Sequence, residues 1–194
     1  MYSDNDASLH LQGKEAFSRA RNKAFWSDIV NHLLGKPTDL WSFDEVRGRL
    51  RLRQEVYRGK QNVPLERIVG SVGRYHEFSN KFLPKKRDMA DRWSRIYAKF
   101  NGMEGLPPVE LYQIDDVYFV RDGNHRVSVA RQMNNKTIEA YVTQLQTPID
   151  LEPNMSSKAW HIADAYAHFL EQTALNETRP AQKRIWLTEP SRYD

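Results

Sequence analysis

The chain contains no cysteine among its 194 residues. Disulfides, thiolate metal sites and cysteine nucleophiles are therefore excluded. No apolar run approaches the ~18 residues that span a bilayer, so no membrane partner is expected. The opening "MYSDNDASLHLQGKEAF" has no apolar core behind basic residues, so it does not read as a signal peptide. There is no Walker loop, no G-x-S-x-G elbow, no H-E-x-x-H pair, no internal repeat and no low-complexity stretch. These absences point to a cytoplasmic location and leave most familiar enzyme classes unsupported.

What is present suits a water-soluble globular domain. Hydrophobic residues make up 40% and charged residues 28%, with 29 Lys and Arg against 25 Asp and Glu. The formal net charge of +4 is compatible with an anionic partner, nucleotide or DNA, without demanding one.

Periodicity divides the chain into three segments. Residues 1–60 read as an N-terminal helical lobe, with a polar and frayed start over 1–10. Ala16/Phe17, Ala20, Ala24, Ile29 and Leu33 recur at helical spacing, and Gly35 with Pro37 signals a stop. Ser42 and Glu45 form a capping box that opens a second helix with Val46 and Leu50 inward.

Residues 61–146 alternate between strand and helix. "VPLERIVG" reads as a strand with a turn. Residues 88–100 read as an amphipathic helix with Met89, Trp93, Ile96, Tyr97 and Phe100 on one face, closed by Gly102. "PPVELYQI" and "VYFV" form a hairpin about Asp115-Asp116. A short helix over 124–133 follows, closed by Asn134-Asn135, and then the alternating strand "TIEAYVT".

Residues 147–194 hold a helix over 156–174, capped by Ser156 or Ser157, and a tail. The tail "RIWLTEPSRYD" lacks a stop signal, which is compatible with a fragment boundary. The order of elements is α+β in character, with helical additions at both ends.

The chemistry concentrates at one corner, "VRDGNHR", where a strand hands over to a helix. A helix N-terminus leaves backbone N–H groups without partners and carries partial positive charge, so it favours anions. Gly123 allows close approach and positive φ. Arg121 and Arg126 add fixed cations that match phosphate oxygens, and His125 adds a titratable donor. Asp122 suits a metal, a hydroxyl or the helix cap. Taken alone, Asp-Gly is a turn and Asp122 its cap. The second candidate segment is "SVGRYHEF", the loop after the first strand, where Ser71, Gly73 and Arg74 suit a phosphate or a base and an ordinary polar loop is the plainer reading.

A third group is "RGRLRLRQEVYRGK". On a helix, Arg47/Arg51 and Arg49/Arg53 form two ridges that suit a DNA backbone, a regulator or a weak nuclease. A solvated face or pairing with acids elsewhere is the plainer reading. Lys81, Lys85, Lys86 and Arg87 form a second basic cluster. His76-Glu77 point apart on a strand, and His161 and His168 are too far apart for a two-histidine metal site. Trp93 and Trp160 read as core anchors.

From Val63 to Leu145 the order of elements resembles the ParB/sulfiredoxin superfamily. "VPLERIVGSVGRYHEF" is similar to its opening strand and arginine-bearing loop. "LPPVELYQIDDVYFVRDGNHRVSVARQ" is similar to its D-G-x-x-R stretch, and "TIEAYVTQ" to its closing strand. The D-G-x-H-R form looks closer to kinase-like and nuclease-like branches than to the G-E-R-R form of chromosome-partitioning ParB. A bacterial group that pairs an N-terminal helical region with this domain carries D-G-H-H-R. Here Asn124 stands for the first histidine, a departure that bears on catalysis rather than on phosphate binding.

The resemblance implies nucleotide phosphates at the corner. ParB is a CTP-dependent clamp, and a free serine kinase of the superfamily uses ADP. Sulfiredoxin uses ATP with a cysteine that this chain lacks. The implied ligands are ATP, ADP or CTP with Mg²⁺, and a homodimer is compatible.

The expected phosphate contacts are Gly123, Asn124, Arg126, Arg74, Ser71 and Arg121. Asp122, His125 and Glu77 are the catalytic candidates, with Glu66 a weaker acid and Asp122 the metal ligand. The function expected first is nucleotide-phosphate binding, with hydrolysis or phosphoryl transfer as the reaction if turnover follows. DNA binding or cleavage and a non-catalytic scaffold are the alternatives.

Overall fold

A computed structural model describes residues 4–34, 38–102, 105–153 and 155–179. Gly35, Pro37 and the tail "RIWLTEPSRYD" lie outside the described residues. The elements in chain order are α1 (Asp4–Leu33), β1 (Trp41–Ser42), α2 (Phe43–Arg49), β2 (Glu55–Pro64) and β3 (Ile68–Ser71). There follow α3 (Ala90–Asn101), β4 (Val109–Ile114), β5 (Val117–Asp122), α4 (Asn124–Gln132), β6 (Thr137–Leu145), α5 (Ser157–Thr173) and α6 (Leu175–Thr178). The fold is α+β: one six-stranded mixed sheet in the order β1-β3-β5-β4-β6-β2, with helices on both faces.

Alternation along β5 builds the two layers. Val117 and Phe119 join one core with Phe43, Val46, Leu145 and the α5 residues Ala163, Tyr166 and Leu170. Tyr118 and Val120 point the other way, into a core with Phe17, Trp93, Val127, Val129, Ala140 and Val142. Helices α2 and α5 therefore cover one face, and α1, α3 and α4 the other.

Local signals place the ends of several elements. The Ser42 hydroxyl accepts from the Glu45 amide at 3.4 Å, and Val46 and Leu50 are buried, as the capping box predicts. Ser156 caps α5 by accepting from the Ala159 amide at 3.2 Å. The β4–β5 hairpin turns at Asp115, which adopts φ 50°. Gly102 closes α3.

Three expectations change. Helix α1 begins at Asp4, so the polar start is helical rather than frayed. Its face also shifts: Phe17, Ala20 and Ala24 are buried, but Ile29 and Leu33 are exposed. The third change concerns 47–60, which is not one helix. Helix α2 ends at Arg49, Arg51 takes φ 56°, and β2 begins at Glu55 to pair antiparallel with β6. The two arginine ridges therefore do not form.

Candidate anion site at the β5–α4 corner

Strand β5 lies inside the sheet between β3 and β4, so its C-terminal end is held on both sides. Gly123 makes the turn into α4 with φ 108° and ψ 23°. A Cβ there would stand 2.6 Å from Val109 Cγ1 and 3.0 Å from Arg126 Nε. Both the left-handed backbone and the close approach require glycine. Gly123, not Asp122, occupies the N-cap, and no side chain caps the helix. The first helical bond runs from the Val127 amide to the Gly123 carbonyl. The amides of Asn124, His125 and Arg126 therefore face the helix end, where the dipole is positive.

A cavity of about 160 Å³ opens at this end. The corner contributes residues 121–126, the β3 loop contributes Gly73 and Arg74, and α3 contributes Arg92 and Ile96. The structure thus brings Arg74, Arg121, Asp122, Gly123, Asn124, His125 and Arg126 together around one space. It also adds Arg92, which sequence reasoning passed over as part of a core helix. The Trp93 indole donates to the Ser128 hydroxyl at 2.9 Å inside the core and locks α3 onto α4. That bond sets the neighbouring Arg92 at the α4 N-terminus. Arg92 lies on α3, far in sequence from the corner, so no local motif signals it.

Each arginine is held differently. Arg126 is mostly buried; it donates to the Pro107 and Pro108 carbonyls at 2.9 and 2.7 Å and pairs with Asp122. Arg74, at φ 57°, pairs with Glu77 at 3.1 Å. Arg121 sits 3.6 Å from Glu110 and over the Tyr112 ring. Arg92 makes no ion pair with any described residue.

The buried groups report the local potential. His125 is 4% exposed, and its Nδ1 has no hydrogen-bond partner. Burial first, then the Arg92 and Arg74 charges, push its pKa down to about 4, while Glu77 works in the opposite direction. At neutral pH His125 is therefore an uncharged imidazole that supplies a donor or acceptor, not a cation. Asn124 is 9% exposed and its Oδ1 is likewise buried and unpartnered. Two buried polar side-chain atoms beside the cationic cavity thus have no hydrogen-bond partner among the described residues.

Other candidates fall outside the cavity. The Ser71 hydroxyl is fully buried between the carbonyls of Gly73 and Val120, which share its single proton. Glu77 bonds Arg74 and lies 3.5 Å from Lys86, and Glu66 sits in the exposed turn between β2 and β3. His76 pairs with Asp39, and Lys85 with Asp28 and Asp39, so that part of the second basic cluster is consumed internally.

Each arginine of the 47–53 group faces an acid. Arg47 pairs with Glu55 at 3.1 Å and Arg49 with Glu45 at 2.7 Å. Arg51 reaches Glu171 and Asp164, and Arg53 reaches Glu171 at 3.7 Å. Among the described residues no cluster of three or more histidines, aspartates or glutamates suits a metal ion, and no helix is long and apolar enough to cross a membrane.

Comparison with known proteins gives little beyond this geometry. No family model matches the chain, and no curated protein matches it. Among solved structures, the chain aligns with a sulfiredoxin from Arabidopsis thaliana at 16% identity and a TM-score of 0.33. The alignment covers 43% of this chain and 82% of that one.

Proposed function

We propose that the protein binds the phosphate groups of a nucleotide, ATP, ADP or CTP, at the β5–α4 corner. The observation that carries this reading is the unmatched charge. Four arginines line one cavity against the carboxylates Asp122, Glu77 and Glu110, and the fourth, Arg92, has no ion-pair partner among the described residues. The uncapped N-terminus of α4 adds partial positive charge at the same place.

The cavity, about 160 Å³, is smaller than the roughly 300–1,000 Å³ of pockets that enclose drug-sized ligands. It suits the phosphate end of a nucleotide, with the sugar and base lying over the surface outside. Mg²⁺ would arrive with the phosphates and take most of its ligands from them and from water, with Asp122 as the protein carboxylate. Asp122 is also the only carboxylate lining the cavity, so it is the candidate base for hydrolysis or phosphoryl transfer.

Calorimetry with ATP, ADP, CTP and GTP in the presence of Mg²⁺ tests this. The expected result is saturable binding of at least one nucleotide that Arg92→Ala weakens. No heat from any of the four at millimolar concentration would reject the reading. If binding is found, Asp122→Asn should retain it and remove any phosphate release.

A further inference from the structure

Helix α1 is apolar on two opposite faces, and among the described residues only one of them is covered. Toward the domain, Phe17, Ala20 and Ala24 are buried, Gly13 approaches the Ser94 backbone, and Asp28 bonds Lys85 at 3.1 Å. On the far side, Phe25, Trp26, Ile29, Val30, Leu33 and Leu34 stand in water at exposures of 37% to 79%. They recur in pairs four residues apart, which makes one stripe along the last turns of the helix.

The first half of the helix shows what an ordinary solvent face looks like: Glu15 and Arg19 stand exposed there as an i,i+4 pair. The stripe has no such residues. Asp28 is the only Asp, Glu, Lys or Arg between positions 24 and 34, and it points inward to Lys85.

We propose that this stripe is the dimer interface of the protein, covered by the same stripe of a second copy. Three observations favour that occupant. With roughly 200 Å² for each fully exposed large side chain, the patch offers on the order of 700 Å². A standard interface buries about 800 Å² per partner. The surface is uncharged, so its partner must be uncharged, and a second copy supplies such a surface by definition. The other exposed large apolar residues among those described, Leu11, Tyr57 and Tyr141, do not form a second patch of this kind. A head-to-tail contact would leave one stripe in water at each end, whereas a two-fold pairing of stripe on stripe closes. The inference stands apart from nucleotide binding: α1 contributes nothing to the cavity at the corner.

Sedimentation velocity on the full chain over a range of micromolar concentrations provides the test. The wild-type chain should sediment as a dimer. Trp26→Glu and Val30→Glu, both at exposed positions, should shift it to monomer, weakening association by at least about tenfold, with the helical circular-dichroism signal of wild type retained. Because the chain lacks cysteine, Val30→Cys introduces a unique thiol. It should form an inter-chain disulfide on mild oxidation, while Tyr141→Cys should not. A wild-type monomer at every concentration overturns the proposal, and so does a dimer that both glutamate variants leave intact. In the monomer case, removing residues 180–194 asks whether that segment, with its Ile185-Trp186-Leu187 run, covers the stripe instead.

Discussion

Two groups of four arginines lie on this molecule, and they are built to opposite ends. Arg47, Arg49, Arg51 and Arg53 meet Glu45, Glu55, Asp164 and Glu171, four cations against four carboxylates. That collar ties α2 and the start of β2 to α5. At the corner, Arg74, Arg92, Arg121 and Arg126 meet three carboxylates around a cavity, with a helix N-terminus pointing into it. In sequence the first group is the more conspicuous, because its members are neighbours. The second is assembled from the loop after β3, α3, β5 and α4. Arginine density in a sequence measures supply of charge, while unmatched charge at one place is what an anion can use.

Substitutions at the corner should have the larger effects. Gly123→Ala forces a side chain into a left-handed backbone and against Val109, and should cost about 2–4 kcal/mol in urea unfolding, along with the cavity.

The corner also has a pH signature. His125 has a folded-state pKa of about 4 against an ordinary 6.5, so between those values the unfolded chain binds more protons. Its contribution to stability is fully present above pH 6.5 and is lost as pH falls toward 4, a span on the order of 3 kcal/mol. Urea midpoints measured across that window should fall more steeply for wild type than for His125→Asn. Parallel curves would mean that His125 is not held neutral by its surroundings.

Arg92→Ala should leave the melting temperature close to wild type, since Arg92 bonds no described residue, yet weaken nucleotide binding about tenfold or more. A large loss of stability with unchanged affinity would make Arg92 structural. At the collar the reverse split is expected at small scale. Arg49→Ala removes one exposed pair with Glu45 and should cost about 0.3–0.5 kcal/mol, with no change in nucleotide affinity. Strongly salt-dependent DNA affinity that disappears when Arg47, Arg49, Arg51 and Arg53 all become Ala would erase the distinction between the two groups.

Much of the fold was legible because its signals are local. The Ser42 and Ser156 caps, the Asp115-Asp116 turn and the alternation in β6 each need only a few neighbouring residues. The corner itself was legible for the same reason, since strand, glycine and helix start are contiguous. What local pattern missed depends on distant partners. Residues 55–60 read as helix until β6 supplies the pairing that makes them strand. Ser71 looked like a phosphate ligand because the segment does not show that its hydroxyl turns inward, between its own loop's Gly73 carbonyl and the Val120 carbonyl of β5. Arg92 reaches the corner only through the packing of Trp93 on Ser128. Ile29 and Leu33 fit a helical period as well as Ala24 does, but period alone does not say which face the domain covers.

The most direct test of the corner as an anion site is an amide-resolved titration with ATP and Mg²⁺, followed by nitrogen–proton NMR. The largest and mutually saturating shifts should fall on the amides of Gly123, Asn124, His125 and Arg126, with Gly73 and Arg74 next. Shifts that are absent there, or that cluster instead at Arg47 to Arg53, would contradict it.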